Sequence, residues 1–177
     1  MTRVGLTPER VVAAAGDLAD AGTLTLATLA EHLGVRVPSL YKHVDGLADL
    51  HRRLAAAGLA DLTERLGAAT IGRSGRDALH ACATAWREYA REHPGRYAAV
   101  QRATNDPAAE RLGALVYAVL RGYGLTGDAT VHATRAVRSA LHGFCVLEAG
   151  GGFGLPQDVD TSFESLIALL DAGLTAG

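Results

Sequence analysis

The sequence predicts an all-α protein of about nine helices. Alanine and leucine are abundant, aromatic residues make up 5% of the 177 residues, and runs of β-branched residues are scarce. Such a composition favours helix. No segment alternates Val, Ile, Thr or Tyr with polar residues between tight turns, as strands do. Helix start and stop signals instead recur along the chain.

Composition and charge restrict the class of protein. The formal net charge of −2 argues against a uniformly basic coat, so any nucleic-acid contact must come from locally placed cations. No apolar run approaches the ~18–20 residues of a membrane span, so no membrane partner is expected. The N-terminus lacks the features of a signal peptide. We expect a cytoplasmic protein. Its two cysteines, Cys82 and Cys145, are expected to be reduced and to be buried as small apolar residues.

Local signals place the first four helices. Residues 7–9, Thr-Pro-Glu, supply a hydroxyl cap, a proline at the first helical position and an acid in the first turn. The helix that they begin ends at Gly22. Two short helices are predicted at about 25–33 and 37–43, and a long one at about 47–66.

Capping boxes, prolines and glycines place the remaining helices. Ser74 and Asp77 form one predicted capping box, Thr161 and Glu164 form another, and Asp106-Pro107 is a proline start. The stretch GGGFGLPQD is a loop between the last two helices. The predicted ranges are 74–93, 107–124, 128–149 and 162–172, with a short segment at 94–103.

The segment 25–50 has the spacing of a helix-turn-helix. Its two short helices flank Gly34, where a left-handed backbone lets the second helix leave at a steep angle. Apolar residues of both helices form a predicted inner face, which consists of Leu29, Ala30, Leu33, Val35, Leu40 and Val44. The outer face of the second helix then carries Val37, Pro38, Ser39, Tyr41, Lys42 and His43.

This outer face has the chemistry of a DNA contact. Lys42 is the only lysine in the chain, and in a major groove it would meet a phosphate or a guanine edge. Tyr41 would reach a phosphate with its hydroxyl or a thymine methyl with its ring. Alternatively, Tyr41 and His43 only complete the packing against the first helix. The spacing of the inner residues favours the DNA contact.

Four sequence elements combine in order over about residues 6–54: a capped first helix ending in Ala-Gly, LAEHLGV, a Pro-Ser-Leu-Tyr-Lys-His recognition helix, and a polar turn into a leucine-bearing helix. Together they resemble the DNA-binding domain of the TetR family of transcriptional repressors. The resemblance implies a ligand-responsive repressor that binds a palindromic double-stranded DNA operator as a homodimer. It implies a DNA-binding domain at 1–46 and an effector-binding and dimerisation domain at 47–177, with 47–66 as a connector.

By position, the resemblance assigns DNA contacts to eight residues. Thr25 would cap the second helix and touch phosphate. The start of the recognition helix would face bases or backbone, and its end would contact both phosphates and bases. The eight residues are Thr25, Arg36, Val37, Pro38, Ser39, Tyr41, Lys42 and His43.

Two positions depart from the family pattern. Leu47 stands where the family usually has a basic residue after the turn into the fourth helix, and Ala27 stands where many members have an arginine. Both departures reduce the expected number of phosphate contacts. They leave open a second interpretation, that the chain is a ligand- or protein-binding adaptor of the same fold that has lost operator binding.

The C-terminal part is predicted to be a helical bundle that holds an effector. Apolar stripes on four helices form its core. Trp86, Tyr89, Tyr117 and His142 add polar atoms that need partners when buried, so we take them as candidate effector-pocket residues. The stretches WREYAREHPGRY and SALHGFCVLEAG resemble the C-terminal domain of a TetR subfamily called WHG. This resemblance names no ligand, and the effector is an unknown small molecule.

The last two helices are apolar on more than one side, so a second partner is expected for them. The TetR resemblance implies that two copies of the chain pair through these helices. A catalytic or metal site is not expected: no His-x-x-x-His pair falls on a helix, the two cysteines are far apart in sequence, and no phosphate-binding loop follows a strand. No cofactor is expected, and an enzyme is disfavoured.

Overall fold

The computed structural model describes residues 5–102 and 107–176. These residues form nine α-helices and one 3-10 helix, and they contain no strand. The predicted all-α class is therefore confirmed. No helix among them is both long and apolar enough to cross a membrane. The helices are α1 Pro8–Asp20, α2 Leu26–His32, α3 Val37–Leu40, α4 Leu47–Thr70, α5 Gly75–Glu92, α6 Pro94–Gln101, α7 Pro107–Leu120, the 3-10 helix Arg121–Tyr123, α8 Gly127–Ala149 and α9 Val159–Thr175.

Four helices end three or four residues from their predicted ends. Helix α7 ends at Leu120 instead of Gly124 and is followed by a 3-10 helix, and α9 continues past Ala172 to Thr175.

Helix α3 ends at Leu40 instead of His43, because the backbone N–H groups of His43 and Val44 both donate to the Leu40 carbonyl, at 2.8 and 3.0 Å, and close a turn over 41–43. Helix α4 continues past the predicted end at Leu66 to Thr70. The Thr70 hydroxyl donates to the Leu66 carbonyl at 2.8 Å within this last turn.

The start of α9 corrects a predicted capping box. The box was predicted at Thr161 and Glu164, but the cap is Asp158, whose carboxylate accepts the Thr161 N–H at 2.7 Å and the Thr161 hydroxyl at 2.9 Å. Thr161 is therefore inside the first turn and cannot precede it. Glu164 instead lies 2.9 Å from Nε2 of His80 on α5. For α7, the predicted start at Asp106 lies outside the described residues.

The chain divides into two compact units, which are Met1–Ala60 with Glu92–Ala109, and Asp61–Arg91 with Glu110–Gly177. The division falls inside α4, whereas the sequence prediction put the domain boundary at 46/47. It also assigns α6 to the unit that contains the helix-turn-helix. The boundary at 46/47 stays a prediction about function.

The first unit is built around the predicted inner face of the helix-turn-helix. Its core cluster includes Leu29, Ala30, Leu40 and Val44, all buried, together with Val11 of α1. The predicted inner residues Leu33 and Val35 are partly buried and pack against this core. Both short helices therefore turn their apolar residues inward, as predicted, and α1 covers them.

The second unit is a helical bundle whose core follows the predicted stripes. Its buried residues include Trp86 on α5, Leu120 on α7 and Leu141 on α8. Cys82 and Cys145 are both buried, as predicted. Burial raises the pKa of the Cys82 thiol to about 12, so this thiol stays protonated at neutral pH.

One buried polar atom of this bundle, Oγ1 of Thr84 on α5, has no hydrogen-bond partner among the described residues. Burying a hydroxyl without a partner costs about 1–3 kcal/mol. The change Thr84→Val keeps the side-chain shape and removes the hydroxyl. We therefore expect it to raise the free energy of unfolding by about 1 kcal/mol.

Urea unfolding followed by circular dichroism measures this effect. Thr134→Val on α8 is the matched control, because the Thr134 hydroxyl donates to the Thr130 carbonyl at 2.8 Å. The control should bring no gain in stability. If Thr84→Val were no more stable than the original chain, the hydroxyl would not be the cost that we assign to it.

Candidate nucleic-acid interface and C-terminal groove

The start of α2 is fixed by two threonines. Oγ1 of Thr25 accepts the Thr28 N–H at 3.0 Å, and Oγ1 of Thr28 accepts the Thr25 N–H at 2.9 Å. The Thr28 hydroxyl also lies 2.7 Å from the Thr23 carbonyl. Thr25 therefore caps α2, as the TetR resemblance implies. The sequence prediction did not include Thr28 in this cap, although its position three residues after a threonine cap was the available signal.

The turn between α2 and α3 depends on a left-handed glycine, as predicted. Gly34 has a φ of 65°, a conformation that costs glycine little. The Val35 N–H donates to the Ala30 carbonyl at 2.9 Å, and the Gly34 N–H donates to the Glu31 carbonyl at 3.0 Å. These bonds end α2 and direct the chain into α3.

The stretch from Arg36 to His43 presents most of its side chains to solvent. Arg36, Pro38 and Lys42 are exposed, and Tyr41 is 55% exposed. Among the described residues, the side chains of Arg36 and Lys42 form no ion pair. Two cations and a phenol are therefore available on one short surface. We call residues 36–43 the recognition segment.

A buried carboxylate fixes the turn that follows the recognition segment. Asp49 is buried near the start of α4, accepts the Asp45 N–H at 3.1 Å and accepts from Nε of Arg53 at 2.7 Å. It also pairs with Arg52. The backbone hydrogen bond from Asp45, followed by the bond from Arg53, lowers the pKa of Asp49 below its usual value. Asp49 thus stays charged and neutralises part of the positive charge beside it.

An apolar groove of about 470 Å³ runs between α8 and α9. Its walls include small residues of α8 and the side chain of Leu169 on α9, which is 72% exposed. A contiguous apolar groove with an exposed apolar wall is typical of a surface that another molecule covers. The groove is lined by Leu125, Ala129, His132, Ala133, Ala136, Val137, Leu169, Leu170, Gly173 and Leu174.

A buried arginine on α5, Arg87, links this helix to α8 and α9. Nε and Nη2 of Arg87 donate to Glu148 at 2.9 and 2.5 Å, and Nη2 lies 2.7 Å from Asp160. The guanidinium carbon is 5.3 Å from the ring centre of Phe144 and 4.6 Å from that of Phe163. The hydrogen bond to Glu148, and then that to Asp160, raises the pKa of Arg87. Sequence analysis missed this cluster, because no local pattern marks partners so far apart in the chain.

Comparison with known proteins decides the family. The family model described as "Tetracyclin repressor-like, C-terminal domain" matches residues 79–170. The chain is 35% identical over 180 residues to YobS, an HTH-type transcriptional regulator of Bacillus subtilis, and the match covers 97% of this chain and 94% of YobS. The chain belongs to the TetR family of transcriptional regulators.

Two further proteins support this assignment. The HTH-type transcriptional regulator Rv0681 of Mycobacterium tuberculosis is 38% identical over 161 residues, which cover 86% of this chain and 72% of Rv0681. A variant of TetR from Acinetobacter baumannii AYE, solved in complex with minocycline, has a TM-score of 0.74 and 25% identity, with 96% of each chain covered. The chain is thus a TetR-type regulator along most of its length.

The eight residues that the TetR resemblance assigns to DNA differ in exposure. Thr25, Arg36, Pro38, Tyr41 and Lys42 are exposed, whereas Val37, Ser39 and His43 are half-buried. Val37 packs against the core of the first unit, so its side chain is less available than predicted. Seven of the eight lie in the recognition segment, and the eighth caps α2. Their contacts with DNA stay predictions.

The four candidate effector residues do not share one environment. Trp86 and Tyr89 are buried, Tyr117 is 38% exposed and His142 is half-buried. Arg65 lies over the Tyr89 ring, 5.2 Å from its centre. None of the four lines the groove between α8 and α9. Their part in an effector pocket therefore stays a prediction, separate from that groove.

Proposed function

We propose that the chain is a ligand-responsive repressor that binds a palindromic DNA operator as a homodimer. The observation that carries this proposal is the recognition segment, where Arg36, Tyr41 and Lys42 are exposed on a helix-turn-helix whose opposite side is core. Cations without an ion-pair partner can bind phosphates or guanine edges at no cost from breaking an internal pair. In this proposal the segment enters the major groove of DNA.

We propose the groove between α8 and α9 as the surface through which two copies pair. The small side chains of Ala133 and Ala136 on α8 allow a second helix to approach closely, and exposed Leu169 supplies apolar area to bury. A two-fold axis at this surface makes the same patch meet itself. Two recognition segments would then reach half-sites about one DNA turn, ~34 Å, apart.

We also propose a small-molecule effector in the second unit. The TetR variant from A. baumannii was solved in complex with minocycline, and ligand binding is typical of the family. In our proposal Trp86, Tyr89, Tyr117 and His142 contact an effector with apolar or aromatic character. An effector shifts the regulator only if it binds the DNA-competent and incompetent conformations with different affinities.

The adaptor interpretation keeps one observation in its favour. Ala27 and Leu47 are both exposed, at positions where the family often has basic residues. The surface therefore carries fewer positive charges that could contact phosphates. A titration of DNA binding separates the adaptor interpretation from the repressor. The cytoplasmic location stays a prediction with either function.

The experiment is a salt titration of binding to the DNA upstream of the protein's own gene. We expect saturable binding that weakens with salt, because cations of the protein displace counterions from phosphates. Tyr41→Ala/Lys42→Ala should abolish the specific binding. Ile71→Ala/Arg73→Ala is the matched control, because both residues are exposed outside the recognition segment, and it should bind like the original chain. If the protein bound neither this DNA nor any fragment of a genomic pool at low salt, the adaptor interpretation would be favoured.

A further inference from the structure

The fixed positive charges of the side chains are almost all arginines. Lys42 is the only lysine among the 17 Lys and Arg residues of the chain, and all the others are arginines. The guanidinium of arginine stays protonated, whereas the amine of lysine is the target of acylation. Acylation converts the ammonium into an uncharged amide. Lys42 therefore carries the one fixed side-chain charge that this chemistry can remove.

The amine of Lys42 lies where a reagent can reach it. Lys42 is exposed in the turn that closes α3, and among the described residues its side chain forms no ion pair. Asp49, the buried acid that follows the recognition segment, is already occupied: its carboxylate accepts from Nε of Arg53 at 2.7 Å and from the Asp45 N–H at 3.1 Å. The Lys42 amine is thus open to a molecule in solution.

The other exposed side chains of the recognition segment favour an anionic acyl donor. Arg36 and Tyr41 are exposed on the same segment as Lys42. A guanidinium and a phenol hydroxyl both donate hydrogen bonds to phosphate oxygens. An acyl phosphate carries anionic oxygens like those of the DNA backbone. The surface that we propose for the operator therefore also attracts this class of donor.

We propose that Lys42 is a modification site that a small acyl phosphate acylates, and that its acylation switches off operator binding. The amine nitrogen attacks the carbonyl carbon of the donor, so that a C–N bond forms and the C–O bond to phosphate breaks. Inorganic phosphate leaves with the electron pair of that bond, and the proton of the attacking amine passes to water. No oxidant or reductant takes part. The switch rests on the proposed function.

The loss of charge acts on both half-sites of a dimer. Each phosphate contact contributes about 0.9 to the slope of the logarithm of the binding constant against the logarithm of the salt concentration. A dimer that is acylated on both copies loses two such contacts, and the slope becomes shallower by ~1.8. Leu40 and Val44 hold the recognition segment on the core from its other side, so the acylated chain stays folded.

The first part of the test measures the modification itself. The full chain is treated with acetyl phosphate, and peptide mass spectrometry follows the acetylation of Lys42 and of the α-amino group. A synthetic peptide of residues 36–43 is the reference for an unshielded amine. We expect Arg36→Met to slow the acetylation of Lys42 by acetyl phosphate about threefold or more. The same variant should react with an uncharged acetyl thioester at the original rate, which distinguishes the two classes of donor.

The second part measures DNA binding by fluorescence anisotropy on an inverted-repeat duplex that the unmodified chain selects from a random pool. Acetylated protein should bind about tenfold or more weakly, with a salt slope shallower by ~1.8. Lys42→Gln imitates the uncharged amide and should behave like the acetylated protein. Lys42→Arg has no side-chain amine, so it should bind equally well before and after treatment. That control removes any effect of the α-amino group.

The duplex gives a reciprocal measurement. Duplex that is added before the donor should protect Lys42 from acetylation at least about fivefold, because the bound phosphates occupy its surface. The α-amino group in the same sample should be protected less than Lys42. Unrelated DNA of the same length should protect Lys42 only at low salt.

Three outcomes overturn the proposal in distinguishable ways. If acetyl phosphate leaves Lys42 unmodified while it acetylates the reference peptide, Lys42 is not a modification site. If Lys42 is acetylated and the affinity for the selected duplex stays within about twofold, the modification is not a switch. If the unmodified chain binds no duplex better than unrelated DNA, the proposed function fails, and the switch fails with it.

Discussion

Leu169→Asp is expected to convert the protein into a monomer and to lower operator affinity by about a hundredfold or more. Leu169 is 72% exposed on the wall of the groove between α8 and α9. In the proposed dimer this side chain is buried against the second copy, where the desolvation of a carboxylate is costly. A monomer engages one half-site at a time, so it loses the gain from two linked contacts.

Sedimentation velocity measures the oligomeric state, and anisotropy on an inverted-repeat duplex measures the affinity. Ile71→Asp is the matched control, because Ile71 is 79% exposed but lies in the connection between α4 and α5. The control should remain a dimer and bind like the original chain. A dimeric Leu169→Asp protein would show that the groove is not the pairing surface.

Arg87→Met is expected to lower the free energy of unfolding by about 3 kcal/mol, because it leaves the Glu148 carboxylate without its hydrogen-bonded cation in a largely buried site. The Arg87 side chain is 8% exposed, and that of Glu148 is 16% exposed. Methionine keeps the apolar stem beside Phe144 and Phe163, so the loss reports the charge and its hydrogen bonds. For a chain of this size the melting temperature should fall by about 10 °C.

The neighbouring arginine supplies the control for this prediction. Arg91 is 57% exposed, and its distances to Glu148 and Asp160 are 4.0 and 3.7 Å. Exposed pairs contribute little, so Arg91→Met should change stability by less than about 1 kcal/mol. Adding Glu148→Gln to Arg87→Met should restore part of the loss, because it removes the unpaired charge. Equal losses in Arg87→Met and Arg91→Met would show that the buried pair of Arg87 and Glu148 contributes no more to stability than an exposed pair.

Sequence periodicity was sufficient to predict the buried face of the helix-turn-helix, because the residues that form this face lie close together in the sequence. The inner residues Leu29, Ala30, Leu40 and Val44 recur within sixteen residues, and their burial follows from helical spacing. Thr25 and Gly34 act through bonds to residues at most five positions away. The cap of α9 was local as well, but the sequence prediction placed it at Thr161, three residues after Asp158, which is the cap in the structure.

The charged clusters could not be predicted from the sequence in the same way. Arg87 and Glu148 are 61 residues apart, and Arg96 and Asp20 are 76 residues apart. In the sequence each appears as an ordinary solvent-exposed charge on an amphipathic helix. Only the packing of α5 with α8 and of α6 with α1 gives them partners. The groove was predicted only as apolar excess on the last two helices, since its shape depends on how they cross.

We propose that two copies of the recognition segment read a symmetric DNA site. The most direct measurement is selection of binding sites from a random pool of duplexes by the full-length protein, followed by sequencing. We expect enrichment of an inverted repeat whose half-site centres lie about one helical turn apart, ~34 Å, and we expect no enrichment with Tyr41→Ala/Lys42→Ala. Enrichment of an asymmetric site, or of no sequence at all, would contradict this proposal.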